Sequence, residues 1–289
     1  MVAGGTSEEA LRYGVASDES HPGLLVEPGL GLFDAGILDQ IARRARAHGG
    51  VLGGAMASHP LMGEAIGRTL DIAAEYGLDV DLHLDETQDP ASGGLRLLAE
   101  AVLARKFKGN VIAGHCCSLS RQDGDAARQT VARVAEAGIN VVSLPMCNLY
   151  LQDRGDGSVT PRYRGLTLIR ELLAAGVNIS VAPDNTRDPF YAYGDLDCLE
   201  VLRETVRIGH LDHPLDIAPT LVTRNPARAM GIDAGMIAPG RSADLVILRG
   251  RGWSEVLSRP EGRRTVLRSG KPIDTELPDY RELDDLMER

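Results

Sequence analysis

The chain has 289 residues and is 43% apolar, enough for one large core or one and a half domains. Its 31 Lys and Arg against 41 Asp and Glu give a net charge of −10, which argues against nucleic acid or an anionic membrane as the main partner. There is no apolar run of about 18 residues and no basic and apolar leader, so neither a membrane span nor a signal peptide is expected. Cys116, Cys117, Cys147 and Cys198 form no C-x-x-C pair. They read as reduced thiols in a cytoplasmic protein.

Along the chain a helix–Gly–strand phrase repeats. Ile37 to His48 reads as an amphipathic helix with Ile37, Ile41 and Ala45 on one face, stopped by Gly49-Gly50 before a strand over Val51 to Met56. A helix around Leu70 to Tyr76 ends at Gly77, and Leu78 to His83 follows as a strand. Leu95 to Phe107, with Leu95, Leu98, Val102 and Leu103 inward, ends at Gly109 before Val111 to His115. Ala127 to Ala137 ends at Gly138 before Ile139 to Leu144, and Leu166 to Ala175 ends at Gly176 before Val177 to Pro183. Gly at each junction supplies the left-handed position that ends a helix. Beyond Asp184 the pattern changes. Leu196 to Ile208 and Ala218 to Met230 read as helices, Leu245 to Leu248 as a β-branched strand, and Thr265 to Ile273 as a short hairpin.

Five βα units are clear, and a sixth strand is expected at Gly23 to Glu27. Short strands buried on both faces, alternating with helices, define an α/β fold of the (β/α)8 TIM-barrel type. The first 22 residues read as loosely structured, so strands three to eight are expected without the first two. An open doubly wound sheet is the alternative, but no Gly-rich phosphate loop follows any strand.

Four polar residues lie at the ends of these runs: His83 and Glu86 in V-D-L-H-L-D-E, His115 in V-I-A-G-H-C-C, and Asp184 in V-N-I-S-V-A-P-D-N. A barrel aims such side chains into one mouth. His, Glu, His and Asp together fit metal-assisted hydrolysis. A carboxylic acid with a raised pKa, such as Glu86, can protonate a ring nitrogen and then a leaving amine.

The stretches His83–Thr87, Gly114–Ser118, Leu144–Gln152 and Asp184–Tyr191, in that order, resemble the metal-dependent amidohydrolase superfamily and its cytosine deaminase-like branch. The resemblance runs from Val51 to Ile273. Pro239–Val246 is similar to the superfamily's return strand into a small β-sandwich. It implies an incomplete barrel over residues 23–235, a partial sandwich over 236–275 and a charged tail over 276–289.

By the same resemblance, His83 would bind one divalent ion, zinc or iron. Glu86 would shuttle protons. His115 would orient the attacking hydroxide, and Asp184 would touch the metal and take the proton from the water. Asn148, Asn185 and Phe190 would lie at the substrate. The substrate would be a small, cytosine-like nitrogen heterocycle losing its amino group. Neither H-x-E nor P-C-x-x-C, the signature of another class of zinc deaminases, occurs.

Two departures stand out. No His-x-His pair occurs anywhere in the sequence, so the metal is expected to be weakly held or absent, and a truncated or metal-less, inactive or merely ligand-binding homologue is the alternative reading. Asn185 stands where cytosine deaminases have a second Asp, which leaves room for a triazine or another ring. Self-association into a homo-oligomer is left open.

Overall fold

The computed structural model describes residues 35–154, 157–213, 215–259 and 263–287. The strand expected at Gly23 to Glu27 and the loosely structured first 22 residues lie outside the described residues. The chain divides into two compact units, Met1–Ile232 and Asp233–Arg289.

In the first unit, α1 (Ala35–Ala47) leads to β1 (Leu52–Met56), α2 (Met62–Tyr76) to β2 (Val80–Leu84), and α3 (Gly94–Arg105) to β3 (Val111–His115). A 3-10 turn (Cys117–Arg121) and α4 (Gly124–Ala137) precede β4 (Asn140–Ser143). Then come α5 (Pro145–Leu151), α6 (Ile169–Ala174), β5 (Ile179–Val181), α7 (Cys198–Gly209), a second 3-10 segment (Leu215–Val222) and α8 (Arg224–Ala229).

The five strands form one sheet in the order β1-β2-β3-β4-β5, and every pair is parallel. Register runs through Leu52↔Val80, Val80↔Val111 and Val141↔Ile179. A doubly wound sheet reverses strand order at a switch point. This sheet never does, so among the described residues it follows the sequential order of a (β/α) barrel.

The core is aliphatic. Leu52, Val80, Leu82, Leu84, Ala113, Val141 and Ile179 on the strands are fully buried, as are Leu38, Ile66, Leu70, Leu98 and Leu172 on the helices. Each of the Leu, Ile and Val side chains contributes roughly 1.5–3 kcal/mol by leaving water.

The helical stripe of α1 differs from the expected one. Leu38, Ala42 and Ala45 face inward, while Ile37 is largely exposed. Packing selects the neighbouring stripe because both have helical spacing. Gly77 and Gly138 take the expected left-handed conformation (φ 62° and 66°) and donate to the preceding turn. At the end of α3, Lys106 takes it instead (φ 50°), three residues before the expected stop at Gly109.

The second unit holds an antiparallel sheet of β6 (Leu245–Leu248), β7 (Arg264–Arg268) and β8 (Lys271–Pro272), in that order, with a short helix α9 (Trp253–Ser258) before β7. Leu245 pairs with Leu267 and Leu248 with Arg264.

Candidate active site

Four consecutive strands bring the polar residues to one edge of the sheet. His83 is the penultimate residue of β2, and Glu86 lies just past its end. His115 closes β3, Asp184 follows β5, and Asn148 sits on α5, the helix that starts directly after β4. In a parallel sheet all C-terminal ends lie on the same side, where barrel enzymes place their chemistry.

Asn148 joins the cluster. Its Nδ2 donates to Glu86 Oε1 at 3.2 Å and to His115 Nδ1 at 3.1 Å. A lone pair on His115 Nδ1 places that ring's proton on Nε2, which donates to His83 Nδ1 at 2.9 Å. The two imidazoles lie 4.7 Å apart, tilted by 60°.

The electrostatics agree with this arrangement. Burial, with His83 second, lowers His115 from 6.5 to about 3, so the ring is neutral. Burial of the Glu86 carboxyl, with the Asp184 charge second, raises it from 4.5 to about 7 against the opposing Asn148 bond. The Glu86 side chain as a whole stays 38% exposed, at the mouth of the site. Burial also raises Asp184.

Asp184 adds a second feature. Its Oδ2 is buried and has no hydrogen-bond partner among the described residues. An orphan buried carboxylate oxygen is costly. Ligand atoms of Glu86, His115 and Asp184 all lie within 4.8 Å of one another. The two carboxylates of this set fit a divalent cation, which would satisfy the orphan oxygen, while both His115 nitrogens are already hydrogen-bonded. His83 stands outside that group of three and joins it through His115.

The backbone is strained at the same places. Asp85, His115, Cys116 and Asp184 all have positive φ, 55°, 67°, 53° and 66°. Each such non-glycine position costs on the order of 1–3 kcal/mol, and such positions concentrate at functional sites.

The expected substrate residues divide. Asn148 is buried within the cluster. Asn185 has both ends of its amide engaged: Oδ1 accepts from Cys147 Sγ at 3.4 Å, and Nδ2 donates to Asp188 Oδ2 at 2.6 Å. Phe190 is 60% exposed, on a turn in which Asp188 Oδ1 accepts from the Phe190 and Tyr191 amides.

Sequence reasoning left three contributors unassigned. Asp85 is buried and accepts from Ser92 Oγ and from the Gly94 and Leu95 amides at 2.7, 2.8 and 2.9 Å. It ties the end of β2 to the start of α3, and no local pattern links it to residues 7 to 10 positions away. Gln152 Nε2 donates to the Glu86 carbonyl at 3.4 Å. Helix α5 was signalled only by Pro145, a residue favoured at the first helical position. Cys116 and Cys117 are buried packing residues whose thiols burial pushes up.

A sequential parallel sheet with a His, Glu and Asp cluster at its C-terminal edge is the arrangement of a (β/α)-barrel protein with a candidate active site at that edge. Residues 34–274 match the model of the amidohydrolase family. The chain belongs to that family.

It is 58% identical over 240 residues to a pterin deaminase of Rhizobium rhizogenes, covering 83% of this chain and 55% of that protein. The chain spans about half the length of the curated relatives it matches. Among solved structures it superposes on 5-methylcytosine deaminase of Klebsiella pneumoniae with a TM-score of 0.73 and 31% identity, over 84% of this chain and 61% of that one. N-isopropylammelide isopropylaminohydrolase of Burkholderia multivorans gives 0.68 and 26%, over 86% and 60%.

Proposed function

We propose that this chain serves the hydrolytic removal of an amino group from a nitrogen heterocycle, and that the ring is a pterin in preference to cytosine. The observation that carries the reading is the hydrogen-bonded series Glu86–Asn148–His115–His83, with the orphaned Asp184 oxygen beside it. The 58% identity to a pterin deaminase supports the ring. So does Asn185, whose amide is already engaged at both ends and stands where cytosine deaminases carry an acid.

Asp184 and His83 are the residues we assign to hold a divalent ion, zinc or iron; His83 would turn its Nδ1 lone pair to the ion and release the bond from His115 Nε2. When bound, such an ion lowers the pKa of water to about 7 and so supplies a nucleophile at neutral pH. The rest falls to side chains. Glu86, part protonated near neutral pH, gives its proton to the ring nitrogen as the water oxygen adds to the adjacent carbon. Asp184 takes the proton that the water loses. Glu86, now a carboxylate, takes the proton of the added hydroxyl and passes it to the amine; the C–N bond breaks as the C=O bond forms, ammonia leaves, and the proton on Asp184 returns to Glu86. Asn148 holds Glu86 in place through this exchange. His115 stays neutral and links Asn148 to His83; both its ring nitrogens are engaged, so orienting the water would require it to give up one of these bonds.

The test is ammonia release by the zinc- or iron-loaded protein from pterin, cytosine and 5-methylcytosine, with amine release from N-isopropylammelide in parallel. Turnover of pterin above the others is expected. Turnover of N-isopropylammelide alone would overturn the ring assignment, and no turnover of any of them would overturn the reaction.

A further inference from the structure

One cavity of the first unit has a volume of about 260 Å³. Arg121, Tyr163, Arg164, Thr167, Arg170 and Glu171 line it. Three arginines and one glutamate thus line it, in a chain whose net charge is −10.

None of the three arginines pairs with a carboxylate among the described residues, whereas Arg43, Arg105 and Arg203 each do. Arg121 is held instead by Tyr163, with its guanidinium carbon 3.5 Å from the ring centroid. Arg164 donates from Nη1 to the Ile208 carbonyl at 2.7 Å and faces His210 Nε2 at 3.0 Å, and Arg170 Nε donates to the Gly209 carbonyl at 3.5 Å. Neutral acceptors and an aromatic face orient these groups without neutralising them.

Two polar atoms of the lining are buried and lack a hydrogen-bond partner among the described residues: Arg121 Nε and Thr167 Oγ1. Thr167 is 5% exposed. Buried donors left unmade are costly, and they mark places where a ligand or ion completes the structure. A guanidinium fork beside a hydroxyl is the chemistry that takes carboxylate or phosphate oxygens. At roughly 30 Å³ per water, the space exceeds that of a lone ion.

We propose that this cavity binds a small oxyanion-bearing molecule, a carboxylate or a phosphate, at a site separate from the catalytic one. It shares two segments with that site. Arg121 ends the 3-10 turn that follows His115. Gly165 lines the cavity, its carbonyl accepts from Cys117 Sγ at 3.0 Å, and a Cβ placed on it would lie 2.4 Å from the Asn148 carbonyl oxygen.

The test is calorimetric titration and thermal melting of the protein with inorganic phosphate and, separately, with succinate. A chelator is present throughout, so that no metal at the active site can hold the anion. Saturation at one equivalent with a rise in melting temperature is expected for at least one probe, and which probe binds tells phosphate from carboxylate. Arg121→Gln and Arg164→Gln should each weaken that binding about ten-fold, the size of one lost charge-assisted hydrogen bond. Arg96→Gln, at the surface, should leave it unchanged. Arg164 is exposed, so its variant stays readable even if Arg121→Gln misfolds. Absence of saturation with both probes, or full affinity in the folded variants, would overturn the proposal.

Discussion

His83 and His115 meet nitrogen to nitrogen, Nδ1 to Nε2 at 2.9 Å, although 32 residues separate them in the chain. Their strands are neighbours, with Leu84 opposite His115, so the two rings share one edge of the sheet. With Asn148 donating to His115 Nδ1, the His115 proton sits on Nε2 and faces His83, so the contact couples Glu86, through Asn148, to His83.

Glu86→Gln should lower deamination about 10²- to 10⁴-fold, the usual span for a general acid–base group. The amide keeps a hydrogen-bond acceptor for Asn148 but carries no transferable proton. Bound metal, measured by atomic emission, should stay at the wild-type level. Parallel loss of metal would make Glu86 a ligand, as its place within 4.8 Å of His115 and Asp184 permits.

Asp184→Asn should lower zinc affinity by at least about ten-fold, since a neutral amide is a far weaker partner for a cation. Competition with a chromogenic chelator measures it. Unchanged affinity would remove Asp184 from the ligand set and leave its buried oxygen unexplained.

Asn148→Ala should cut turnover by about ten-fold or more and move the pH–rate profile to higher pH. The Asn148 amide donates to the Glu86 carboxylate and so favours its charged form. Losing that donor raises the Glu86 pKa further above about 7. A profile that keeps its position while the rate falls would leave Asn148 a purely structural residue.

Two ionisations have opposite consequences for stability. Glu86 binds its proton more tightly when folded, about 7 against 4.5, so its contribution is complete below pH 4.5 and is lost as the pH rises through 7. His115 binds its proton less tightly when folded, about 3 against 6.5, so its contribution is complete above pH 6.5 and is lost as the pH falls towards 3. Urea melts of the metal-free protein should show Glu86→Gln gaining on wild type as the pH rises from 4.5 to 7. His115→Gln should gain on wild type as the pH falls below 6.5. Parallel curves for either pair would contradict the corresponding shift.

Asp85→Ala should destabilise the fold by about 3 kcal/mol, because it leaves buried donors at Ser92, Gly94 and Leu95 unpaired. The neighbouring Glu86→Gln should leave the melting midpoint near the wild-type value at pH 5. Equal effects from the two substitutions would erase the division between a structural and a chemical acid in Asp85-Glu86.

Much of the fold was legible in the chain. The phrase helix–Gly–strand marked all five parallel strands, and Val111–His115 was placed to the residue. Alternation of apolar runs with Gly stops is a local property, so it survives in one dimension. The helix over Pro145–Leu151 was not legible, because its seven residues carry fewer than two turns of stripe and begin directly at a strand end. The stripe of α1 was read one position off for a related reason: Ile37 and Leu38 both belong to helical faces, and only the neighbouring elements decide which is buried.

The site divides in the same way. His83, Glu86, His115 and Asp184 were each visible as polar residues closing apolar runs, and parallel strands necessarily put those ends on one side. By itself, then, the sequence determined the class of fold, the edge of the sheet and the residue types gathered there. Only the tertiary structure decided which partners these residues take: Asn148 bridging Glu86 and His115, Asn185 spent on Cys147 and Asp188, Asp85 turned to the start of α3, and the Arg121 cavity behind Gly165. Those pairings depend on ångström-scale distances between segments tens of residues apart. Hydrophobic periodicity specifies which face of an element is buried, but not which polar atom on the next element it will meet.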